Sequence, residues 1–240
     1  MRIRSRACIP AWIFGSSTER KARVNVDQRI RWLLKPAIWI AALAPFAWLA
    51  WRAFSDDLGA NPIEAITHTT GDWALRLLLV TLAITPLKNL TGWRRIVRVR
   101  RLLGLFTFFY ALVHFATWLV LDQFFDWPMI VEDIVERPFI TVGFAGFVLL
   151  TALAATSTTA AMRRMGGNWL RLHRAIYLIA PLGVLHFLWL VKADWLEPAI
   201  YGAIAVSLLG MRIPAVRDRL RFGRRPSRPA APARNPAAAS

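Results

Sequence analysis

Cysteine is nearly absent from this 240-residue chain, because Cys8 is the single one. One thiol cannot form an internal disulfide, ligate an iron–sulfur cluster or attach a c-type haem through paired cysteines. Any cofactor must therefore be held by other side chains. Acidic residues are also scarce, with 14 Asp and Glu against 31 Lys and Arg. In a soluble protein such an excess of positive charge would indicate nucleic acid binding.

Long apolar stretches dominate the sequence instead, since 56% of the residues are hydrophobic and 12 are Trp. Each of six stretches is long enough to be considered as a membrane-crossing helix. The sequence therefore predicts an all-α integral membrane bundle of six transmembrane helices, with its domain over residues 36–211. A basic N-terminal extension, 1–35, and a basic tail, 212–240, flank it. The six predicted spans cover residues 36–54, 72–87, 102–121, 138–162, 173–191 and 195–211.

The positive charges alternate between connecting segments along the chain. The N-terminal extension, the second and fourth connections and the C-terminal tail contain 27 of the 31 Lys and Arg residues. By the positive-inside rule both termini are predicted to be cytoplasmic. The charge is thus explained by membrane topology, and the expected surroundings are a lipid bilayer and not nucleic acid.

The third connection, predicted to lie outside, is acidic. Residues 124–138, FFDWPMIVEDIVERP, fit a short amphipathic helix in the membrane interface. The acidic stretch from Asp122 to Glu136 is a candidate docking surface for a partner, by electrostatic complementarity.

Two histidines lie at matching depths in the third and fifth predicted spans. At about 1.5 Å per residue, His114 and His186 are both roughly 20 Å from the predicted inner face. An imidazole in hydrocarbon needs a partner in the bundle interior. Two level imidazoles suit a b-type haem, whose iron takes two axial nitrogens. The alternatives are histidines that only form hydrogen bonds, a proton relay, or a zinc site, which would need further ligands.

His173 and Arg76 are weaker candidates for cofactor binding. His173 lies near the predicted inner face, where a second haem could sit, but the same level of the third span has Arg100 and Arg101. Its alternative role is an interfacial hydrogen bond. Arg76 could bind a haem propionate, although an ion pair with Asp72 at i, i+4 is the simpler expectation. We expect His68, in a predicted outer loop, to be a surface residue.

Four motifs give the chain a resemblance to a known family. It resembles the haem-binding membrane subunits of bacterial methionine sulfoxide reductase systems, the MsrQ family, within the ferric-reductase-like transmembrane group. The N-terminal extension and the Arg-Pro-Ala tail depart from that pattern. The motifs are GANPIEAITHTTGDWALRLLLVTLAITPLKNL at 59–90, RRLLGLFTFFYALVH at 100–114, DIVERPFITVG at 133–143 and WLRLHRAIYLIAPLGVLHFLW at 169–189.

The resemblance implies a cofactor set and partners. It implies a b-type haem, with His114, His173 and His186 at the positions of the family's haem histidines, and an FMN for which no residue is assigned. Electrons would come from the quinone pool or a cytosolic flavin reductase. They would pass to a periplasmic molybdenum-containing methionine sulfoxide reductase of the MsrP type. The expected location is the bacterial cell inner membrane, as a multi-pass protein.

The resulting hypothesis is an electron-transfer subunit with no catalytic residue of its own. Methionine sulfoxide reduction would occur in the partner, so enzyme status is left open for this chain. Only about 29 residues follow the sixth span, too few for flavin and nicotinamide domains. The alternatives are a ferric reductase, a quinol-oxidising cytochrome, or a non-redox transporter or scaffold.

Overall fold

The computed structural model describes residues 33–191 and 195–213, and within these ranges the regular structure is helical, without a strand. The all-α prediction is confirmed for this part of the chain. The predicted basic extension and tail lie almost entirely outside the described residues. The helices are α1 Lys35–Phe54, α2 Pro62–Thr91, α3 Arg100–Thr117, α4 Trp127–Glu136, α5 Pro138–Ala155, α6 Thr159–Met165, α7 Gly167–His173, α8 Ile176–Leu190 and α9 Leu196–Gly210.

The helices divide between two compact units. Helix α1 belongs to a unit that ends at Asp57, and helices α2 to α9 belong to a unit that begins at Leu58. In the second unit a 3-10 turn, Arg94–Val99, precedes α3, and a π-helical turn, Trp118–Asp122, extends it. All of the candidate site residues are in this second unit.

Within residues 33–191 and 195–213, five helical segments are long and apolar enough to cross a membrane. They are Lys35–Phe54, Pro62–Thr91, Ile96–Asp122, Pro138–Ala155 and Gly167–Leu190. The sixth predicted span corresponds to α9, which is apolar but has only 15 residues. At about 1.5 Å per residue it is shorter than the roughly 30 Å hydrocarbon core. The count of six spans and the cytoplasmic termini therefore stay predictions.

Helix α2 begins much earlier than the sequence pattern predicted, at Pro62 instead of Asp72. Asn61 caps it, since its side-chain oxygen accepts a hydrogen bond from the backbone N–H of Glu64 at 3.3 Å. The Glu64 carboxylate accepts in return from the Asn61 amide at 2.9 Å. Proline at the first helical position completes this start signal. The prediction of a loop around His68 was wrong, because this residue lies in the first turns of α2.

We expect Asn61→Ala to destabilise the start of α2 by about 1 kcal/mol, the usual cost of losing a side-chain N-cap. Amide hydrogen exchange should increase over the first turns of α2 and stay unchanged in the middle of the helix. Asn61→Asp keeps the acceptor oxygen and is the control. Equal exchange in the alanine variant and the native chain would show that Pro62 alone sets the helix start.

The fourth and fifth predicted spans also differ from the observed helices. Helix α5 ends at Ala155, and Thr158 then caps α6 by accepting from the Ala161 N–H at 3.1 Å. Pro181 lies within the fifth predicted span, where a proline is expected to interrupt a helix, but α8 runs through it. The break lies at Arg174 and Ala175, between α7 and α8. Proline removes one backbone donor, and a helix held by its neighbours tolerates that loss with a bend.

The packing of the second unit brings two helix pairs together. Helix α2 packs along α3, and α5 packs along α8, which also contacts α9. Leucines of α2 and α5 and small or branched residues of α8 and α9 form the shared apolar core. These buried residues are Leu75, Leu78, Leu79, Leu82, Leu150, Leu153, Ile176, Ile179, Ala180 and Ala205.

The predicted interfacial helix is present as α4. Asp126 caps it through its side chain, and Ile130 and Asp133 are its buried residues. Asp133 accepts a hydrogen bond from the Gln123 amide at 2.8 Å and pairs with Arg137 at 3.0 Å. It is therefore neutralised and unavailable to a docking partner. The acids that stay exposed in this stretch are Asp122, Asp126, Glu132 and Glu136.

Candidate functional site

A cavity of about 340 Å³ lies between α2, α3, α5 and α8, within the size range of cofactor sites. Its walls are mostly apolar, and the aromatic rings of Phe115, Phe144 and Phe147 stack or tilt against one another there. His114 reaches the cavity from α3 and His186 from α8. An apolar cavity with two imidazoles suits a large, flat ligand that is held through its centre.

The two histidine rings lie close to each other. Their ring centres are 6.1 Å apart, and their planes are almost perpendicular, at 85°. A metal–imidazole bond is about 2 Å long, and the ring centre lies roughly 1 Å behind the nitrogen, so two imidazoles on one metal have centres about 6 Å apart. The observed separation matches this value.

Each ring is fixed by a backbone carbonyl of the neighbouring helix. The Nδ1 atom of His114 is 2.9 Å from the Thr67 carbonyl oxygen, and Nδ1 of His186 is 2.7 Å from the Phe139 carbonyl oxygen. A carbonyl only accepts, so Nδ1 carries the proton and donates in both cases. The lone pair is thereby left on Nε2. Metal-binding histidines are commonly oriented by such a bond.

A glycine makes room for each ring one turn beyond the accepting carbonyl. A Cβ atom added to Gly143 would lie 2.6 Å from Nδ1 of His186, which is closer than real contacts allow. A Cβ on Gly71 would lie 3.1 Å from Nδ1 and Cε1 of His114. The absence of a side chain at these positions lets the helices approach and the rings lie flat against them.

The same arrangement therefore occurs twice in the chain. In both halves the accepting carbonyl precedes its histidine by 47 positions. In the sequence, a Thr-Thr-Gly precedes His114 and a Thr-Val-Gly precedes His186 by the same number of residues. Sequence reasoning found no internal repeat, because the shared residues are too few to stand out without the contacts. Thr67, Phe139 and the two glycines were missed for that reason.

No cluster of three or more His, Cys, Asp or Glu side chains with metal-binding geometry occurs in the ranges 33–191 and 195–213. If the two imidazoles bind an iron, its other coordination positions must be filled by a group other than these side chains. A porphyrin, which supplies four nitrogens in one plane, fits that donor set.

Comparison with known proteins places this chain in a family. Residues 70–184 match the model of the ferric reductase like transmembrane component. The protein-methionine-sulfoxide reductase heme-binding subunit MsrQ of Herminiimonas arsenicoxydans is 53% identical over 184 residues, covering 75% of this chain and 84% of the relative. Its counterpart in Xanthomonas axonopodis pv. citri is 55% identical over 185 residues, covering 75% and 85%.

This chain belongs to the MsrQ family. A third member, from Caulobacter vibrioides, is 51% identical over 177 residues and covers 73% of this chain and 84% of its own length. No solved structure matches the chain. With five apolar helices of spanning length and a transmembrane family, the protein is a multi-pass membrane protein. The resemblance inferred from the four sequence motifs is confirmed.

His173 lies apart from the pair of rings in this MsrQ family member. It ends α7 and stacks on Trp169, with ring centres 4.0 Å apart. Its Nε2 is 3.3 Å from the Thr156 hydroxyl. This is the interfacial hydrogen-bonding arrangement that the sequence left open, and His173 does not line the cavity. The structure brings no second imidazole to it within the described residues.

Arg76 is engaged by partners on two helices. It donates from Nε to the Tyr201 hydroxyl at 2.7 Å and from Nη2 to Asp72 at 3.3 Å, and Glu197 lies 3.9 Å away. Its guanidinium also lies 5.4 Å from the Trp73 ring centre. The expected pair with Asp72 is present, whereas Tyr201 as a partner was not predicted. Arg76 ties α2 to α9 and does not line the cavity.

His68 is a surface residue, as expected, but it lies on α2 and not in a loop. It lines the cavity near its opening and is half exposed, with its Nε2 3.8 Å from the Glu64 carboxylate. It was taken for a loop residue because the capping signal at Asn61 was not recognised.

Proposed function

We propose that this chain is the haem-binding membrane subunit of a protein-methionine-sulfoxide reductase system. One b-type haem would be held in the cavity by His114 and His186. The observation that carries this proposal is the pair of rings with centres 6.1 Å apart, each bound to a backbone carbonyl through Nδ1, which leaves the Nε2 lone pair available to a metal. The relatives are named as heme-binding subunits, which supports the proposal.

In this role the residues of the chain position the haem and form its surroundings during electron transfer. A bound haem supplies an iron that accepts and donates single electrons. The Thr67 and Phe139 carbonyls hold both imidazoles in the tautomer that has the proton on Nδ1. The aromatic walls exclude water, and a low dielectric around the metal is one of the factors that set a reduction potential. No proton donor or nucleophile is needed in this chain for such a role.

The direction of electron flow is proposed from the resemblance of the chain to the family. Electrons enter from the quinone pool or a cytosolic flavin reductase, with FMN as an expected second cofactor without an assigned site. They leave to a periplasmic molybdenum-containing methionine sulfoxide reductase of the MsrP type. The bacterial inner membrane is the proposed location, in keeping with the bacterial sources of the relatives.

A reoxidation assay tests the proposed acceptor. The full chain, purified in detergent with its haem, is reduced and then mixed anaerobically with the periplasmic reductase and a protein that contains methionine sulfoxide. We expect complete reoxidation of the haem bands that depends on both additions. Reductase without sulfoxide is the control, and it should reoxidise the haem only up to the amount of enzyme added.

Ferric reduction is the second candidate function, because the family model that matches residues 70–184 is described as ferric reductase like. It predicts reoxidation by a ferric chelate at least as fast as by the reductase and its substrate. That result would overturn the proposed acceptor and leave the haem site intact. A purified chain without a Soret band would overturn the haem site itself, and with it both functions.

A further inference from the structure

The opening of the cavity contains one permanent positive charge. Among the residues that the structure describes, Arg137 is the only Arg or Lys that lines the cavity. Its side chain is 57% exposed, so it stands at the opening and not in the wall. It directly precedes α5, and Phe139, two residues later, accepts the hydrogen bond from His186. Arg137 is therefore close in the chain to the residue that orients His186.

Arg137 is held in place by a partner that uses only part of its guanidinium. Its Nε lies 3.0 Å from Asp133, whose side chain is 7% exposed. Asp133 is fixed in turn by the buried amide of Gln123. The structure records no partner for Nη1 and Nη2 of Arg137 in the described part of the chain. Two parallel N–H groups in one plane remain, which is the geometry that binds a carboxylate bidentately.

The other charged groups around this opening do not offer the same geometry. Asp122 and His68 also line the cavity, and the Asp122 carboxylate would repel a second carboxylate. Asp72 lines it as well and is already paired with Arg76. Arg76, the residue first considered for this role, is directed at Tyr201 and Asp72.

We infer that Arg137, oriented by Asp133, binds a propionate carboxylate of the cofactor at the opening of the cavity. The inference rests on the proposed function, since it requires a haem between the two histidines. A haem has two carboxylates that cannot stay charged in an apolar cavity, so they must point to its polar opening. Arg137 is the group there that can neutralise one of them. Asp133 acts as a positioning residue, because it holds Nε and leaves the two Nη groups free.

The test compares haem with haem dimethyl ester, in which both carboxylates are blocked. Full-length chain made without haem is loaded in detergent with either compound, and its release to excess apomyoglobin is followed by absorbance. We expect Arg137→Gln to release haem roughly tenfold faster than the native chain, the usual effect of losing a charge-assisted hydrogen bond. The ester should leave both proteins at the same rate. Arg137→Lys, which keeps the charge without the planar pair of donors, should be intermediate.

Two further variants test the inference, one with an expected effect in the opposite direction and one as a control. Asp122→Asn removes a repelling carboxylate and should slow haem release, again without effect on the ester. Arg171→Gln, an exposed arginine outside the cavity, is the matched control and should behave as the native chain does.

The inference is overturned if Arg137→Gln releases haem at the native rate, or if it accelerates haem and ester equally, which would indicate a structural defect. An effect found in Arg76→Gln and absent from Arg137→Gln would assign the carboxylate to Arg76. Failure of the native chain to bind either compound would instead overturn the proposed function. The ester comparison thus keeps the two failures distinguishable.

Discussion

His114→Gly and His186→Gly are each expected to lose at least nine-tenths of the Soret absorbance of the purified protein. Each removes one of the two imidazoles whose ring centres are 6.1 Å apart. The remaining imidazole would have to hold the haem alone in a cavity that otherwise offers mainly apolar contacts. Haem content per polypeptide, measured by the pyridine haemochrome method, is the readout. The native chain should contain one haem.

Added imidazole provides the control for this experiment. It fits the space that the glycine variants leave, so millimolar imidazole should restore the Soret band if the chain is still folded. Lack of restoration together with a normal thermal unfolding profile would contradict the ligand role. His173→Ala should keep one haem per chain, because His173 stacks on Trp169 outside the cavity. A native content of two haems that falls to one in this variant would assign His173 to a second site.

Gly143→Ala is expected to have the second largest effect. Alanine at a helical glycine normally gains about 0.5–1 kcal/mol from backbone entropy. Here the new methyl group would lie 2.6 Å from Nδ1 of His186, so the ring or the helix must move. Overpacking of this kind costs about 1–3 kcal/mol, which outweighs the gain. We expect a several-fold loss of haem and a lower thermal stability. The hydrogen bond from His186 to the Phe139 carbonyl should be broken.

Alanine substitutions at two other glycines should have smaller effects and serve as comparisons. Gly146 lies one turn further along α5, and a Cβ there would meet the Leu182 Cβ at 3.7 Å, an ordinary contact. Gly146→Ala should therefore be neutral or slightly stabilising. Gly71→Ala, with a 3.1 Å contact to His114, should fall between the two. An equal haem content in Gly143→Ala and Gly146→Ala would show that the space beside His186 is not critical.

Much of the architecture could be predicted from the sequence. Apolar stretches of suitable length and the alternation of positive charge indicated an all-helical membrane protein, and an observed helix overlaps each of these stretches. Helix boundaries were less accurate where a local signal was overlooked. The Asn-Pro-x-Glu start of α2 was present in the sequence, and reading it would have placed His68 on a helix.

The candidate site could be predicted only in part. The depths of His114 and His186 along their spans suggested that the two rings share a level, and the structure brings them together. Helical depth says nothing about rotation around the helix axis, so the accepting carbonyls and the two glycines could not be found that way. Arg76 was considered for a propionate because it lies inside a span. Arg137 was not considered, because its proximity to the cavity depends on how α5 packs.

The sequence by itself determined that this chain is a multi-pass helical membrane protein of the MsrQ family. Span length, charge alternation and family motifs are properties of residue order, and no fold is needed to read them. Only the tertiary structure decided which carbonyl each Nδ1 atom binds, which glycines admit the rings and which arginine stands at the opening. These features depend on contacts between residues far apart in the chain, and such contacts are fixed by the rotation and approach of packed helices.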